Sequence, residues 1–296
     1  MRWPTIPAPE KGGNIIDQDA VNRLVDYAIA HGVNYFDTSP VYVQGWSEKS
    51  TGIALKRHPR EKLIIATKLS NFQNWTRENS IAMYKQSLKD LQTDYIDYYL
   101  LHSIGNGGIE TFRARYIDNG MLDYLIEERK AGRIRNLGFS FHGTPELLDK
   151  ILSEHPEVEI VQIQMNYADW ENPLVQSGRL YEVLRKYNMP FLVMEPVKGG
   201  SLASASPEVE AEMKMIKPDA SVASWALRFA VSLPGVATVL SGMSNEEQMN
   251  DNLKTFTNFE PLSEEERKVI EKAQDELKKN PTVPCTSCRY CCDGCP

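Results

Sequence analysis

The sequence predicts an α/β barrel of the TIM type, in which parallel strands form the inside and helices the outside. Two observations indicate this fold. Short apolar runs alternate with amphipathic segments of helical period along most of the 296 residues, which is typical of βα units and a parallel sheet. The length also fits, because such a barrel uses about 250 residues and leaves room for an appendage.

Apolar residues at helical spacing, with start or stop signals, mark the clearest of the predicted helices. In the first helix, Val21, Leu24, Val25 and Ala28 recur on one face, and Gly32 follows the last turn. The helices are predicted over residues 17–31, 47–57, 76–91, 119–131, 144–153, 173–187, 219–232, 245–256 and 263–279. The strands are predicted over residues 33–38, 63–69, 95–102, 134–140, 159–166, 190–195 and 236–241.

A closed barrel needs one more strand, and the first sixteen residues are a poor candidate for it. They contain three prolines and two glycines, which disfavour a central strand. We expect that an N-terminal segment is missing, or else that a few residues near Met1–Trp3 replace the first strand. The predicted organisation is a barrel over residues 1–260, a helix and linker over 261–281, and a cysteine segment over 282–296.

Composition and charge argue against several classes of function. The net charge is -7 and the acidic and basic residues are interspersed, so no basic patch marks a site for nucleic acid or an anionic membrane. No apolar run approaches the ~20 residues that span a bilayer, and the N-terminus lacks the apolar run of a signal peptide. We therefore expect a cytoplasmic protein that binds neither nucleic acid nor membrane.

Three successive predicted strands each carry a proton-handling residue at or near the C-terminal end. The first has Asp37, with Tyr42 five residues further on; the second has Lys68; the third has His102. The C-terminal ends of barrel strands meet on one face, so these four side chains are expected to converge. Together they could deliver a proton to a carbonyl oxygen. Taken singly, each has an alternative as a packing residue, an ion pair or a core histidine.

These residues lie in motifs that resemble the aldo-keto reductase family. The run Gly32–Tyr42 is similar to the family signature, and further matches follow in order over roughly residues 17–258. They are Ala66–Lys68, Asp94–His102, Asn136–Ser140, Val161–Tyr167 and Ser241–Asn245. The resemblance implies a monomer that uses NADP or NAD as its cofactor and transfers hydride from the reduced form, NAD(P)H, to a small carbonyl substrate. It also implies that Asp37, Tyr42, Lys68 and His102 form the catalytic tetrad, with Tyr42 as general acid.

The loops after the last two predicted strands are expected to hold the cofactor phosphates. Gly199 and Gly200 allow backbone N–H groups to approach a pyrophosphate, with Lys198 as counter-charge, although ordinary turn chemistry also explains the glycines. The last βα helix offers its N-terminus, predicted to be capped by a Ser244…Glu247 box. By the resemblance, the cofactor-binding residues are Ser140, Gln162, Met194, Pro196, Val197, Lys198, Gly199, Ser201, Gly242, Met243, Ser244, Gln248 and Asn252.

Within that set, Ser140 and Gln162 would hold the nicotinamide carboxamide and Asn252 the adenine.

The chain departs from the family in two places. Met194 replaces the aromatic residue that stacks on nicotinamide in many relatives. The positions that meet the 2′-phosphate in NADPH-preferring relatives are uncharged here, which leaves NADP and NAD both open. Phe72, Trp75, Tyr99 and the loop 103–118 are expected to shape the substrate pocket.

All five cysteines lie in the last twelve residues, which argues against a disulfide-stapled secreted domain. The spacing of Cys285, Cys288, Cys291 and Cys295 matches the bacterial ferredoxin run for a [4Fe–4S] cluster, with Cys292 as a spare. Zinc or loose thiols are the alternatives. The motif resembles the start of a ferredoxin-like extension, so the cluster could be incomplete. It suggests a redox partner.

Two other functions stay open from the sequence. The first is an electron-transfer fusion, in which a cluster in the cysteine segment passes single electrons to or from the barrel. The second is a catalytically silent barrel that binds a nucleotide or another protein, against which the intact tetrad argues.

Overall fold

The computed structural model describes residues 3–8, 13–257 and 259–279. Strands and helices alternate in this part of the chain. The strands are β1 Thr5–Ala8, β2 Gly13–Ile16, β3 Tyr35–Asp37, β4 Ile64–Leu69, β5 Ile96–Ile104, β6 Ile134–Phe141, β7 Ile160–Gln164, β8 Phe191–Met194 and β9 Val236–Val239. The helices are α1 Gln18–Ala30, α2 Ser47–Leu55, α3 Arg77–Asp90, α4 Gly108–Phe112, α5 Met121–Lys130, α6 Pro145–Glu154, α7 Ser177–Lys186, α8 Pro207–Ile216, α9 Val222–Val231, α10 Glu246–Thr257 and α11 Glu264–Lys279.

The chain forms two compact units, Met1–Val161 with Gly242–Met249 and Gln162–Ser241 with Asn250–Pro296. In the first unit, β3, β4, β5 and β6 pair in parallel in the order of the chain. In the second unit, β8 pairs in parallel with β9. Parallel neighbours that follow each other along the chain need crossover connections, which the intervening helices provide. These are the βα units that the sequence predicted.

The N-terminal residues form a β-hairpin that the sequence did not predict. Strand β1 pairs with β2 in antiparallel register, from Thr5 opposite Ile16 to Ala8 opposite Gly13, as a separate two-stranded sheet. Trp3 is buried beside it, and its indole N–H donates to Thr51 Oγ1 at 3.2 Å. The hairpin thus adds no strand to the parallel sheet.

The core of the first unit lies between β3, β4 and the helices that follow them. Val21 and Val25 of α1 pack with Phe36 and Ile65 in one buried cluster. Helix α2 approaches the end of α3 so closely that a Cβ at Gly52 would lie 2.2 Å from the Asp90 carbonyl oxygen. Only glycine permits this approach without displacement of the backbone.

In the second unit, the predicted C-terminal helix α11 packs on the core formed with α8 and α9. Val269 and Ile270 belong to a buried cluster with Trp225. The capping box at the start of α11 has formed, because Ser263 N–H donates to Glu266 Oε2 at 2.8 Å and Glu266 N–H donates to Ser263 Oγ at 3.2 Å.

The segment after β5 differs most from the sequence-based prediction. Strand β5 continues to Ile104, and the expected loop 103–118 contains α4 and a π-helical turn, Arg113–Ile117. Helix α8, which begins after the capping residue Ser206, was not predicted either. In the described part of the chain, no helix is long and apolar enough to cross a membrane.

Candidate active site

Lys68 and Asp37 form a buried ion pair between neighbouring strands. The Lys68 ammonium donates to Asp37 Oδ1 at 2.7 Å, to Asp37 Oδ2 at 2.8 Å and to the Thr38 carbonyl oxygen at 2.9 Å. The side chain of Lys68 is 0% exposed and that of Asp37 is 12% exposed. These three acceptors match the three N–H bonds of the ammonium. The ammonium therefore has no N–H left for a further hydrogen bond, and it acts on neighbouring groups only through its positive charge.

Tyr42 lies beside this charge in a turn of unusual backbone conformation. The turn Tyr42–Gly45 follows β3, and Val43 and Gln44 both have positive φ, at 50° and 53°. Such conformations cost about 1–3 kcal/mol each. The Tyr42 ring centroid lies 5.1 Å from Lys68 Nζ and 5.8 Å from the His102 ring, which it meets edge-on at 80°. The structure thus brings together all four residues of the expected tetrad.

His102 is placed by an irregularity near the end of β5. The register with β6 shifts between Leu101 and Ile104, and Ser103 has a positive φ of 56°. The Ser103 N–H donates at 2.8 Å to the side-chain Oγ of Ser140 on β6, instead of to a backbone carbonyl oxygen of that strand. Bulges of this kind redirect side chains near functional sites.

Buried serines hold one ring nitrogen of His102. Ser70 Oγ lies 2.5 Å from His102 Nδ1, and Ser39 Oγ lies 3.0 Å from Ser70 Oγ and 3.4 Å from the same nitrogen. Burial, and then the nearby Lys68 charge, hold the pKa of His102 well below its usual value of 6.5. The imidazole is therefore neutral at pH 7, with one nitrogen as donor and the other as acceptor.

Two buried charged residues near the tetrad were missed at the sequence level. Glu48 of α2 accepts a hydrogen bond from Thr67 Oγ1 at 2.5 Å, and burial raises its pKa to about 7. Arg115 lies in the π-helical turn, and its Nη2 donates to the His102 carbonyl oxygen at 3.1 Å. Neither residue follows a strand end, so no local pattern pointed to them.

The expected pocket residues have different environments. Phe72 is 43% exposed, and its ring lies 5.1 Å from that of His102. Trp75 is exposed as well. The prediction for Tyr99 was wrong, because Tyr99 is fully buried and packs edge-on against Tyr84 in the core.

In the first unit, the expected cofactor residues are the buried Ser140 and four half-buried or exposed residues before and in α10, Gly242, Met243, Ser244 and Gln248. Ser140 is buried, and its Oγ accepts from Ser103, so its own O–H remains to donate elsewhere. The predicted Ser244…Glu247 cap is wrong by one residue. Asn245 Oδ1 accepts from Gln248 N–H at 2.9 Å, and Gln248 Oε1 accepts from Ser244 N–H at 2.8 Å.

In the second unit, Gln162 offers an acceptor without a partner. Its side-chain nitrogen lies 3.6 Å from Met194 Sδ, whereas its buried Oε1 has no hydrogen-bond partner among the described residues. A buried acceptor of this kind calls for a donor. Asn252 is already engaged, because its amide donates to Ser241 Oγ at 2.8 Å.

The charge of Lys198 is compensated within the second unit. Its ammonium pairs with Asp169, which is fully buried and also accepts from Gln164 at 2.8 Å and Asn166 at 2.7 Å. The following turn contains Gly199 and Gly200 at φ 66° and 104°, and Pro196, Val197 and Ser201 flank it. The sequence had suggested Lys198 as a phosphate counter-charge and gave no sign of this ion pair.

Residues 8–275 match the Aldo/keto reductase family. The chain belongs to this family of oxidoreductases. It is 28% identical to the uncharacterized oxidoreductase YqkF of Bacillus subtilis (strain 168), over 84% of this chain and 85% of that protein.

Two solved structures are similar as well. The holo form of aldo-keto reductase AKR11C1 from Bacillus halodurans is 28% identical, with a TM-score of 0.68 and 88% of each chain covered. An aldo-keto reductase from Klebsiella pneumoniae in complex with NADPH is 20% identical, with a TM-score of 0.70, over 90% of this chain and 87% of that one. These similarities confirm the predicted α/β barrel fold.

The neutral state of His102 predicts a pH dependence of stability. Above pH 6.5 the histidine is neutral in both states; below it the unfolded chain takes up a proton that the folded protein resists. Stability is therefore lost as the pH falls from 6.5 towards the lower folded pKa, by at most about 1.4 kcal/mol per pH unit. In urea titrations between roughly pH 8 and 5, His102→Asn should flatten this decline. An unchanged slope in His102→Asn would contradict the assignment.

Proposed function

We propose that the protein reduces an aldehyde or ketone with hydride from NAD(P)H, with Tyr42 as the general acid. The observation that carries this proposal is the position of the Tyr42 ring, 5.1 Å from a saturated, buried ammonium and 5.8 Å from a neutral histidine. A structural ion pair alone would not need a tyrosine held beside it by a turn with two positive φ angles.

Each member of the tetrad has a separate role. The bound nicotinamide supplies the hydride. Tyr42 donates its phenolic proton to the carbonyl oxygen, and the Lys68 charge stabilises the phenolate that remains. Asp37 keeps Lys68 from being a buried unpaired charge. When Ser70 O–H donates to His102 Nδ1, the ring proton is on Nε2, and this N–H can donate a hydrogen bond to the substrate oxygen.

Two uncommitted groups suit the carboxamide of a nicotinamide, which needs one donor for its oxygen and one acceptor for its nitrogen. In the first unit, the Ser140 hydroxyl can serve as such a donor. In the second unit, Gln162 Oε1 can serve as such an acceptor. The reductase from Klebsiella pneumoniae that was solved with NADPH has the same fold. Because Lys198 pairs with Asp169, the pyrophosphate would be held mainly by backbone N–H groups of the glycine turn.

The adenosine end of the cofactor is assigned to the loop before α10 and to that helix. Gly242, Met243, Ser244 and Gln248 would lie near the ribose, and Asn252 near the adenine. None of these residues carries a positive charge, so a 2′-phosphate gains no ion pair from them. We therefore assign the cofactor as NADP or NAD without preference.

Tyr42→Phe removes the proton donor and keeps the ring. Reduction of an aldehyde panel should fall by roughly 10²–10⁴-fold, while the affinities for NADPH and NADH, measured by fluorescence titration, stay unchanged. Tyr98→Phe serves as control. Full activity in Tyr42→Phe would refute the general-acid role. Cofactor binding by the native protein without turnover of any aldehyde would favour a catalytically silent nucleotide-binding barrel.

A second activity is suggested by the cysteine segment, residues 282–296, which lies outside the described residues. We propose that Cys285, Cys288, Cys291 and Cys295 bind a [4Fe–4S] cluster, because their spacing matches the bacterial ferredoxin run. Single-electron exchange with a redox partner would then accompany hydride transfer. In two-cluster ferredoxins the fourth cysteine of this run binds the other cluster. The number of iron and sulfide ions per chain therefore decides whether these four cysteines hold a complete cluster.

Protein purified without oxygen should contain about four iron and four sulfide ions per chain and should give an electron paramagnetic resonance signal after reduction. Cys288→Ser should lose the iron, whereas Cys292→Ser, a change of the spare cysteine, should retain it. Zinc in place of iron, or equal iron loss in both variants, would contradict this assignment.

A further inference from the structure

Arg115 is a buried cation that has no acidic partner among the described residues. The residue is 5% exposed. Its Nε and Nη2 donate to Asn71 Oδ1 at 3.3 and 3.1 Å, and Nη2 also donates to the His102 carbonyl oxygen at 3.1 Å. Both acceptors are uncharged. Within residues 3–8, 13–257 and 259–279, no carboxylate forms an ion pair with Arg115, and its Nη1 makes no hydrogen bond.

Two other buried cations in the described part of the chain are neutralised by carboxylates. Lys68 pairs with Asp37 in the first unit, and Arg228 pairs with Glu266 in the second. Burial of an uncompensated charge costs free energy unless a counter-charge arrives. The chain has a net charge of -7, so acidic side chains are abundant, yet none among the described residues is placed against this guanidinium.

The guanidinium lies next to the candidate active site. Its Cζ is 5.3 Å from the centroid of the Phe72 ring, and the Phe72 ring is 5.1 Å from the His102 ring. Phe72 is 43% exposed, so this side of the site is open to a ligand. Asn71 and the His102 carbonyl fix the guanidinium plane and leave Nη1 for another acceptor.

We propose that Arg115 binds a carboxylate on the substrate, so that the preferred substrates are small aldehydes or ketones that carry a carboxylate a few atoms from the carbonyl. Arginine suits this role because its planar fork binds carboxylates through charge-assisted hydrogen bonds. This inference rests on the proposed carbonyl reduction and specifies its substrate class. Arg115 is thus a specificity residue, and the proton-transfer roles stay with the tetrad.

Steady-state kinetics with two four-carbon aldehydes test the proposal. Native protein should reduce succinic semialdehyde with a kcat/KM at least about tenfold above that for butyraldehyde. Arg115→Gln should remove this preference by raising the KM for succinic semialdehyde. The kcat/KM for butyraldehyde should change by less than about threefold. The matched control is Arg113→Gln, because Arg113 is 46% exposed and pairs with Glu154. It should leave both values unchanged.

A binding measurement without turnover separates this proposal from the proposed reduction. Calorimetric titration should show that native protein binds butyrate at least about tenfold tighter than butyramide, and that Arg115→Gln loses the difference. Equal affinities of the native protein for butyrate and butyramide would overturn the proposal. In the kinetic test, an equal fall in kcat/KM for both aldehydes in Arg115→Gln would also overturn it. Arg115-dependent binding of butyrate without reduction of either aldehyde would uphold the anion site and refute carbonyl reduction.

Discussion

The buried ion pair between Lys68 and Asp37 is the interaction on which the candidate site depends. A fully buried ammonium is tolerated only because two carboxylate oxygens and the Thr38 carbonyl receive its three N–H bonds. The pair joins β3 to β4 and fixes a positive charge 5.1 Å from the Tyr42 ring. The same charge adds to the effect of burial in keeping His102 neutral. One charged contact therefore places a fixed positive charge beside both Tyr42 and His102.

The sequence predicted the parts of the fold and site that follow from short-range rules. Helix bounds were close for α1 and α3, whose starts are marked by the capping residues Asp17 and Thr76, whereas α8 was missed although Ser206 caps it. Asp37, Lys68 and His102 could be placed together without any knowledge of side-chain packing, because parallel strands bring their C-terminal ends to one edge. Alternation of strand and helix was sufficient for the fold class.

The features that sequence reasoning missed depend on partners distant in the chain or on choices between near-equal alternatives. Either Ser244 or Asn245 could cap α10, and only the engagement of Gln248 decides the register. Lys198 pairs with Asp169, 29 residues away. Arg115 lies in a π-helical turn that no periodic pattern marks. Tyr99 was expected in the pocket, although it is buried against Tyr84 of α3.

The most direct test of the central claim is a double-mutant cycle on the ion pair, read as free energy of unfolding in urea. Asp37→Asn and Lys68→Met each leave a buried charge unpaired, so each alone should cost about 3–5 kcal/mol. The double variant removes both charges and should be less destabilised than the sum of the single changes by at least about 1 kcal/mol. Additive losses, within about 0.5 kcal/mol, would show that the two charges are not coupled and would contradict the account.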